Sequence, residues 1–216
     1  MKKLSVNIFL SYSTTFVSFV IILLLAQILG AENFSWVALG VAIGGFIVPL
    51  VNLGSDRTFV RDAIEWTNAR LIQELILLNL GQRVFVLLPV AMVLIAALYF
   101  LTDKLSDAVS LLCFSLWAGL IGLYPTSWFD YSDDVRLQNL ILLGERLTSL
   151  AVIGIFYFYT SNTPVILLIG LCLLAIRSLS IIFQIKAWWS RHLNVPFRLI
   201  LVPPQQNKNG VNLDVT

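Results

Sequence analysis

Six apolar runs separated by short polar segments dominate the hydropathy pattern of the chain. A helix needs about 20 consecutive apolar residues to cross the hydrocarbon core of a bilayer. The pattern therefore predicts an all-α integral membrane protein, with one six-helix transmembrane bundle at residues 1–190 and a polar, disordered tail at residues 191–216. The predicted spans are residues 8–29, 36–53, 84–101, 107–128, 140–160 and 164–185.

The segments between the runs carry further structural signals. Residues 30–35 predict a short turn, and at residues 52–63 the chain changes abruptly from apolar to charged, which marks a membrane surface. Residues 64–83 have apolar side chains near helical spacing. This spacing predicts an amphipathic helix that lies at the interface and runs into the third span.

Aromatic residues and glycines refine two of the spans. Trp128, Phe129 and Tyr131 follow the fourth span and predict an elbow at the edge of the bilayer, where amphipathic rings are favoured. Gly40 and Gly44 are four positions apart in the second span. Two small residues at this spacing predict a close approach of another helix.

The composition supports the same class of protein. The chain is 58% hydrophobic with a mean hydropathy of +0.88, against about 45 to 50% apolar residues in an average soluble domain. A net charge of only +2 gives no reason to expect nucleic acid as a partner. The first run is too long for the apolar region of a signal peptide and is predicted to be retained.

The distribution of basic residues predicts the orientation. Lysine and arginine concentrate in the cytoplasmic loops of membrane proteins. If alternate segments lie on opposite sides, one side holds only Lys104, so both termini are predicted to be cytoplasmic. The other side holds Lys2, Lys3, Arg57, Arg61, Arg70, Arg83, Arg136, Lys186, Arg191, Arg198 and Lys208.

The sequence contains none of the common catalytic or metal-binding patterns. It has one histidine, His192, and lacks a zinc-protease pattern, a phosphate-binding loop, a cysteine cluster and a nucleophile elbow. The two cysteines, Cys113 and Cys172, lie in apolar runs, where a thiol packs as a small hydrophobic group. We therefore expect neither an enzyme nor a bound cofactor or metal.

Two arginines fall inside predicted spans. Arg177 precedes Lys186 by nine residues, or about 14 Å of helix. Burying an arginine costs about 2.5 to 3.5 kcal/mol on insertion scales, so Arg177 is expected to face protein or water and to have an anionic partner. Arg146 lies about 9 Å into the fifth span, and adjacent Glu145 is expected to point elsewhere. The alternative for both arginines is that the long side chain reaches the interface.

Two other polar sets are candidates for ligand contact. Arg57 and Arg61 lie one helical turn apart and either meet a lipid head group or anionic substrate or only anchor the chain at the cytoplasmic surface. Hydroxyl side chains share one face of the first span and either bond a neighbouring helix or line a polar cavity. They are Ser11, Thr14, Thr15 and Ser18.

Several short motifs resemble the bacterial polysaccharide flippases of the Wzx type, within the multidrug/oligosaccharidyl-lipid/polysaccharide exporter superfamily. The first is the sequence LAQILG at residues 25–30 with Phe34, and the second is Leu53-Gly54 followed by Arg61-Asp62-Ala63. The Trp128-Phe129 elbow is also similar to that of the family. The resemblance covers most of residues 1–190.

The resemblance implies translocation of an undecaprenyl-diphosphate-linked oligosaccharide across a bacterial inner membrane for O-antigen or other surface polysaccharide synthesis. The candidate diphosphate contacts are then Arg57, Arg61, Arg146 and Arg177, and Ser11, Thr14 and Ser18 are candidate contacts for the glycan. Family members have two six-helix lobes, and this chain matches the amino-terminal one. A second lobe and the polysaccharide polymerase or glycosyltransferase machinery are therefore the implied partners, besides membrane lipids.

Because a polar tail stands where a seventh helix is expected, the sequence favours a truncated product, a fragment or half of a split transporter. Two other functions stay open. One is a drug exporter of the same superfamily, in which acidic intramembrane groups are expected to favour cationic substrates. The other is a remnant or interaction protein that does not transport.

Overall fold

A computed structural model describes residues 2–52, 55–65, 69–101, 105–159 and 165–192 of the chain. The described residues are almost entirely helical and contain no strand, as the hydropathy pattern predicts. The predicted tail lies outside the described residues from position 193 onward. The helices are α1 (Lys2–Asn52), α2 (Ser55–Glu65), α3 (Ala69–Leu101), α4 (Leu105–Gly119), α5 (Thr126–Tyr131), α6 (Val135–Tyr159) and α7 (Val165–His192).

Within the described ranges, six stretches of helix are long and apolar enough to cross a membrane, which agrees with the predicted number. Large apolar side chains cover their outer surface, including Phe9 (70% exposed), Phe85 (77%) and Phe158 (82%). Water-soluble monomers rarely expose such continuous apolar patches, so the fold suggests a multi-pass membrane protein. The stretches are Ser5–Ala31, Asn33–Ile64, Glu74–Ala96, Asp107–Tyr131, Val135–Phe158 and Val165–His192.

The first two spans are joined at a single residue. Gly30 has φ 70° and ψ 173° inside α1, and the residues on both sides are helical. Glycine adopts this backbone conformation without the steric cost that a Cβ imposes. The prediction of a turn over residues 30–35 is therefore wrong in length, because one glycine is enough to break the helix.

Glycines bring the second span against α4, as the spacing of Gly40 and Gly44 predicts. A Cβ added at Gly40 would lie 2.7 Å from Phe114 Cβ, and one added at Gly44 would lie 2.7 Å from the Ser115 carbonyl oxygen. Both distances are shorter than van der Waals contact allows. The close approach of these two helices therefore requires both glycines.

The predicted fourth span, residues 107–128, is interrupted. Helix α4 ends at Gly119, a 3₁₀ turn follows at Leu120–Leu123, and Tyr124 is extended before α5 begins. Pro125 cannot donate the backbone hydrogen bond that a continuous α-helix needs. The stretch Asp107–Tyr131 is still a candidate span, as predicted, and the break within it exposes backbone carbonyl oxygens to side-chain donors.

The structure also describes two segments that were predicted to lie at the interface. Trp128 and Phe129 are buried in a protein core with Phe59 and Trp188, so their rings do not face lipid or water as an aromatic belt would. Of the predicted helix at residues 64–83, the structure describes the end of α2 at Glu65 and the start of α3, which runs without interruption from Ala69 into the third span as predicted.

Candidate functional site

The buried arginine of the sixth span has the anionic partner that its depth predicts. Arg177 Nε of α7 donates to Glu145 Oε1 of α6 over 3.0 Å. The two side chains are 1% and 0% exposed. Burying either charge alone is costly, and a hydrogen-bonded pair offsets much of that cost. Glu145 and Arg177 thus join α6 to α7 inside the bundle.

The break after α4 completes this site. The Tyr124 hydroxyl donates to Glu145 Oε2 over 2.5 Å, so both carboxylate oxygens are bonded. Arg177 Nη1 donates to the Trp117 backbone carbonyl, and the guanidinium carbon lies 4.4 Å from the centroid of the Trp117 ring. A cation over an indole face is attracted by the ring quadrupole. Four elements therefore contribute to one buried polar cluster.

Arg146 is the second cation of this cluster. Its Nη1 lies 3.6 Å from Glu145 Oε1, and its side chain is only 12% exposed. The prediction that Glu145 points away from Arg146 is wrong, because the long arginine side chain reaches back to the carboxylate of the preceding residue. We call Trp117, Tyr124, Glu145, Arg146 and Arg177 the central charge cluster.

The central charge cluster contains two guanidinium groups and one carboxylate. Arg146 Nε and Arg177 Nη2 are buried, and neither has a hydrogen-bond partner among the described residues. Buried donors are nearly always paired in proteins. The cluster therefore has an excess positive charge and two donors available to an anionic group.

A groove of about 570 Å³ opens beside the cluster, between α6 and α7. Glu145 is one of the residues that line this groove, whereas Arg146 and Arg177 are not. The other polar side chains of the wall are Thr148, Ser180 and Lys186. The Glu145 side chain is 0% exposed, so a ligand in this groove would contact the carboxylate only after it turns outward.

Arg83, one of the cations counted on the predicted cytoplasmic side, is buried in the protein and does not lie in a loop. Its side chain is 2% exposed and forms an ion pair with Asp56. Its Nη1 donates to the carbonyl oxygens of Gly122 over 3.2 Å and Tyr124 over 2.8 Å. Arg83 thereby connects α2 and α3 to the break after α4. We call Arg83 and its partners Asp56, Gly122 and Tyr124 the Arg83 network.

Arg57 and Arg61 do not join the central charge cluster. Both line a separate cleft between α2 and α5. Arg61 is 68% exposed and bonds neighbouring Asp62 over 2.8 Å. The structure therefore divides the four predicted diphosphate contacts into an internal pair and a surface pair.

The hydroxyl side chains of the first span bond their own helix. Thr14 Oγ1 donates to the Leu10 carbonyl over 2.9 Å, and Ser18 Oγ donates to the Thr14 carbonyl over 2.8 Å. Thr15 Oγ1 donates to the Ser11 carbonyl over 3.1 Å. The expected bonds to a neighbouring helix are therefore wrong for these three donors. None of the four residues lines either cleft described above.

Comparisons with protein-family models, with characterised proteins and with solved structures return no match. The resemblance to polysaccharide flippases therefore rests on short motifs alone. Leu53 and Gly54 of the second motif lie outside the described residues. Gly30 of the first motif provides the break between spans one and two.

Proposed function

We propose that the chain is one six-helix lobe of a bacterial flippase that moves undecaprenyl-diphosphate-linked oligosaccharide from the cytoplasmic to the outer leaflet. The observation that supports this function best is the excess of buried guanidinium groups in the central charge cluster. Two arginines share one carboxylate there, beside a groove and with two unpaired buried donors. A lipid-linked diphosphate is an anionic ligand of matching chemistry.

The guanidinium group suits this ligand. Arginine forms charge-assisted hydrogen bonds to phosphate oxygens, often in pairs, and these bonds strengthen when water is excluded. Glu145 occupies the position that a phosphate would take next to Arg177. The proposed mechanism is therefore an exchange, in which the diphosphate displaces Glu145 during entry and Glu145 returns to release it.

The surface pair of cations supports a first step in which the lipid-linked precursor binds at the cytoplasmic side. Arg57 and Arg61 line the cleft between α2 and α5, and the positive-inside rule predicts that this cleft lies in the cytoplasmic half of the protein. Lipid-linked precursor would meet these cations first and the central charge cluster second. A second lobe, supplied by another polypeptide segment, would complete the path and allow rocking between inward-open and outward-open states.

A drug exporter of the same superfamily is the second candidate. The observation in its favour is that Glu145, rather than either arginine, contributes to the wall of the groove. A cationic amphipathic substrate would bind this carboxylate and the apolar side chains around it. The two candidates differ in which member of the cluster contacts the substrate.

Complementation of a flippase-deficient bacterial strain tests the proposal. The chain is expressed alone and fused to a second lobe from a flippase, and surface polysaccharide is measured together with the amount of protein in the membrane. In the active form, Arg146→Gln and Arg177→Ala are expected to abolish export. Arg136→Gln, which removes an exposed arginine outside the cluster, is the matched control.

Efflux of a cationic dye from the same cells separates the two candidates. A flippase is expected to show no dye efflux above the vector control. Unchanged export in both Arg146→Gln and Arg177→Ala would refute the role of the cluster in flipping. Dye efflux that is lost in Glu145→Gln and retained in Arg146→Gln would establish the exporter instead.

A further inference from the structure

The cleft between α2 and α5 has a chemical character of its own. It encloses about 590 Å³, which is within the usual range of about 300 to 1,000 Å³ for small-ligand sites. Its wall combines charges of both signs with hydroxyl and apolar groups. We call it the α2–α5 cleft, and its lining residues are Asp56, Arg57, Val60, Arg61, Ile64, Thr126, Ser127 and Asp130.

Half of the charges in this cleft are already neutralised within the protein. Asp56 forms an ion pair with Arg83, and Arg61 bonds Asp62. By contrast, Arg57 and Asp130 have no ion-pair partner among the residues that the structure describes. Both line the same cleft without forming an ion pair with each other. One positive and one negative charge are therefore free to bind a ligand.

A buried hydroxyl provides an independent sign of a ligand. Ser127 is 2% exposed, and its Oγ has no hydrogen-bond partner within the described ranges. A buried hydroxyl normally finds a partner in the protein or in a bound group. Because Ser127 lines the α2–α5 cleft, a polar ligand atom in the cleft would supply that partner.

The apolar part of the wall indicates the physical class of the ligand. Val60 and Ile64 lie one helical turn apart on α2, and Ile64 is 69% exposed. They stand beside the charged groups, at the end of a candidate membrane span. A molecule with a charged end and an apolar end would contact both parts of this wall.

We propose that the α2–α5 cleft binds the head group of a zwitterionic phospholipid that carries a phosphate and a primary ammonium, as in phosphatidylethanolamine. The phosphate would accept hydrogen bonds from Arg57 and from the Ser127 hydroxyl. The ammonium would donate to the Asp130 carboxylate, and the glycerol and first acyl carbons would lie on Val60 and Ile64. This proposal uses Arg57 of the same cleft as the proposed flippase function, but it does not rest on that function, because it requires only that the chain lie in a membrane.

The two free charges also determine which lipids are disfavoured. A phosphatidylglycerol head group places no cation against Asp130, so that carboxylate stays unpaired near a phosphate of the same sign. A phosphatidylcholine head group has a cation but no N–H donor, and three methyl groups enlarge it. The cleft is therefore expected to prefer the ethanolamine lipid over both.

Native mass spectrometry of the purified full chain tests this preference. The protein in detergent receives equimolar phosphatidylethanolamine, phosphatidylglycerol and phosphatidylcholine with identical acyl chains. We expect about a fivefold excess of bound ethanolamine lipid, which is the ratio that about 1 kcal/mol of selectivity produces. Arg57→Gln is expected to weaken the binding of all three lipids, because it removes the phosphate contact.

Two carboxylate variants make the test specific. Asp130→Asn is expected to abolish the excess of ethanolamine lipid over phosphatidylglycerol while leaving the latter bound. Asp133→Asn removes a nearby exposed carboxylate at a residue with φ 56°, a conformation that asparagine also adopts. This variant is the matched control for Asp130→Asn and is expected to retain the preference. Arg136→Gln is the matched control for Arg57→Gln and is expected to bind all three lipids as the unchanged chain does.

Three results would overturn the proposal. The first is equal binding of the three lipids by the unchanged chain. The second is an ethanolamine preference that survives in Asp130→Asn. The third is competition by free O-phosphoethanolamine at the same concentration as the lipid, which would assign the cleft to a soluble zwitterion instead. Retained thermal unfolding temperature in each variant establishes that the surface substitutions leave the fold intact.

Discussion

Glu145 determines the electrostatic balance at the centre of the bundle. It is 5% exposed, and it lies next to two guanidinium groups and accepts a hydrogen bond from Tyr124. Loss of the carboxylate would leave two buried cations without an anion. Loss of Arg177 would leave the carboxylate with Arg146 and the tyrosine hydroxyl. Loss of the Glu145 carboxylate is therefore expected to lower the free energy of unfolding more than loss of the Arg177 guanidinium.

A double-mutant cycle measures this inequality. Glu145→Leu is expected to lower the free energy of unfolding by about 3 to 5 kcal/mol, the cost of breaking a buried ion pair by removing one partner. Arg177→Met is expected to cost less, because Glu145 keeps its other two partners. The combined variant is expected to recover part of the loss, with a coupling of about 0.5 to 3 kcal/mol. Reversible unfolding in mixed micelles supplies the measurement.

The Arg191–Asp134 pair is the matched control for this cycle. Its atoms are 3.7 Å apart, and Arg191 is 54% exposed. Exposed ion pairs contribute about 0 to 1 kcal/mol, so the same cycle there is expected to show weak coupling. Strictly additive losses at Glu145 and Arg177 would mean that the two side chains do not interact in the folded protein.

The Tyr124 hydroxyl is a second test at the scale of single residues. Tyr124→Phe removes the bond to Glu145 Oε2 and preserves the ring, so a loss of about 1.5 to 3 kcal/mol is expected for a hydrogen bond to a charged group. Tyr157→Phe alters a tyrosine that is 46% exposed and is expected to stay within about 0.5 kcal/mol. Equal thermal unfolding of the two variants would contradict the bond.

How far the sequence predicts this site depends on the distance between its members along the chain. The depth of Arg177 in an apolar run is a local property, and it correctly predicts a buried cation with an anionic partner. The identity of that partner is not local, since Glu145 is 32 positions away and belongs to another helix. The partners of Arg83 are equally hard to predict, because the Gly122 and Tyr124 carbonyl oxygens can accept its hydrogen bonds only where the helix is interrupted after α4.

At the scale of helices, hydropathy predicts the number of spans but not the places where a helix is interrupted. The run at residues 107–128 is apolar enough for a span, and only Gly119, Gly122 and Pro125 near its end indicate that the helix is interrupted there. Trp128 and Phe129 similarly have the composition of an interfacial belt. Their burial depends on Phe59 and Trp188, which distant parts of the chain bring to the same core.

The packing of the second span on α4 gives a prediction with an internal control. Gly44→Ala places a methyl group against Ser115 and Ala118 and is expected to destabilise the protein by about 1 to 3 kcal/mol, the usual cost of overpacking. Gly45→Ala adds the same methyl group where no atom lies within 4 Å. It is expected to be neutral or stabilising by about 0.5 to 1 kcal/mol. Equal effects of the two substitutions on reversible unfolding would contradict the helix contact.

At the scale of the whole molecule, Tyr124 connects two polar networks. Its carbonyl oxygen accepts from Arg83 of α3, and its hydroxyl donates to Glu145 of α6. A displacement of the break after α4 would therefore disturb both networks together. In the proposed exchange mechanism, movement of Glu145 at the groove would be transmitted through Tyr124 to the side of the bundle that contains the α2–α5 cleft.

The structure removes one cation from the charge count on which the predicted orientation rests. Arg83 is buried, so it no longer counts as a loop cation, yet the remaining bias is large. Arg57, Arg61 and Arg136 lie on one predicted side and Lys104 alone in the loops of the other. Since loop cations oppose translocation, the segments around Arg57 and Arg136 are expected to stay in the cytoplasm.

Cysteine labelling tests this orientation directly. In a background of Cys113→Ala and Cys172→Ala, single cysteines replace Ala31, the last residue of the first candidate span, and Asp133, which precedes the fifth. A membrane-impermeant maleimide is expected to label position 31 in intact cells and position 133 only in inverted vesicles. Three candidate spans separate the two positions, so labelling of both from one side would contradict the six-span count. The reverse pattern would keep the count but place both termini outside, so that the α2–α5 cleft could not load a substrate from the cytoplasm.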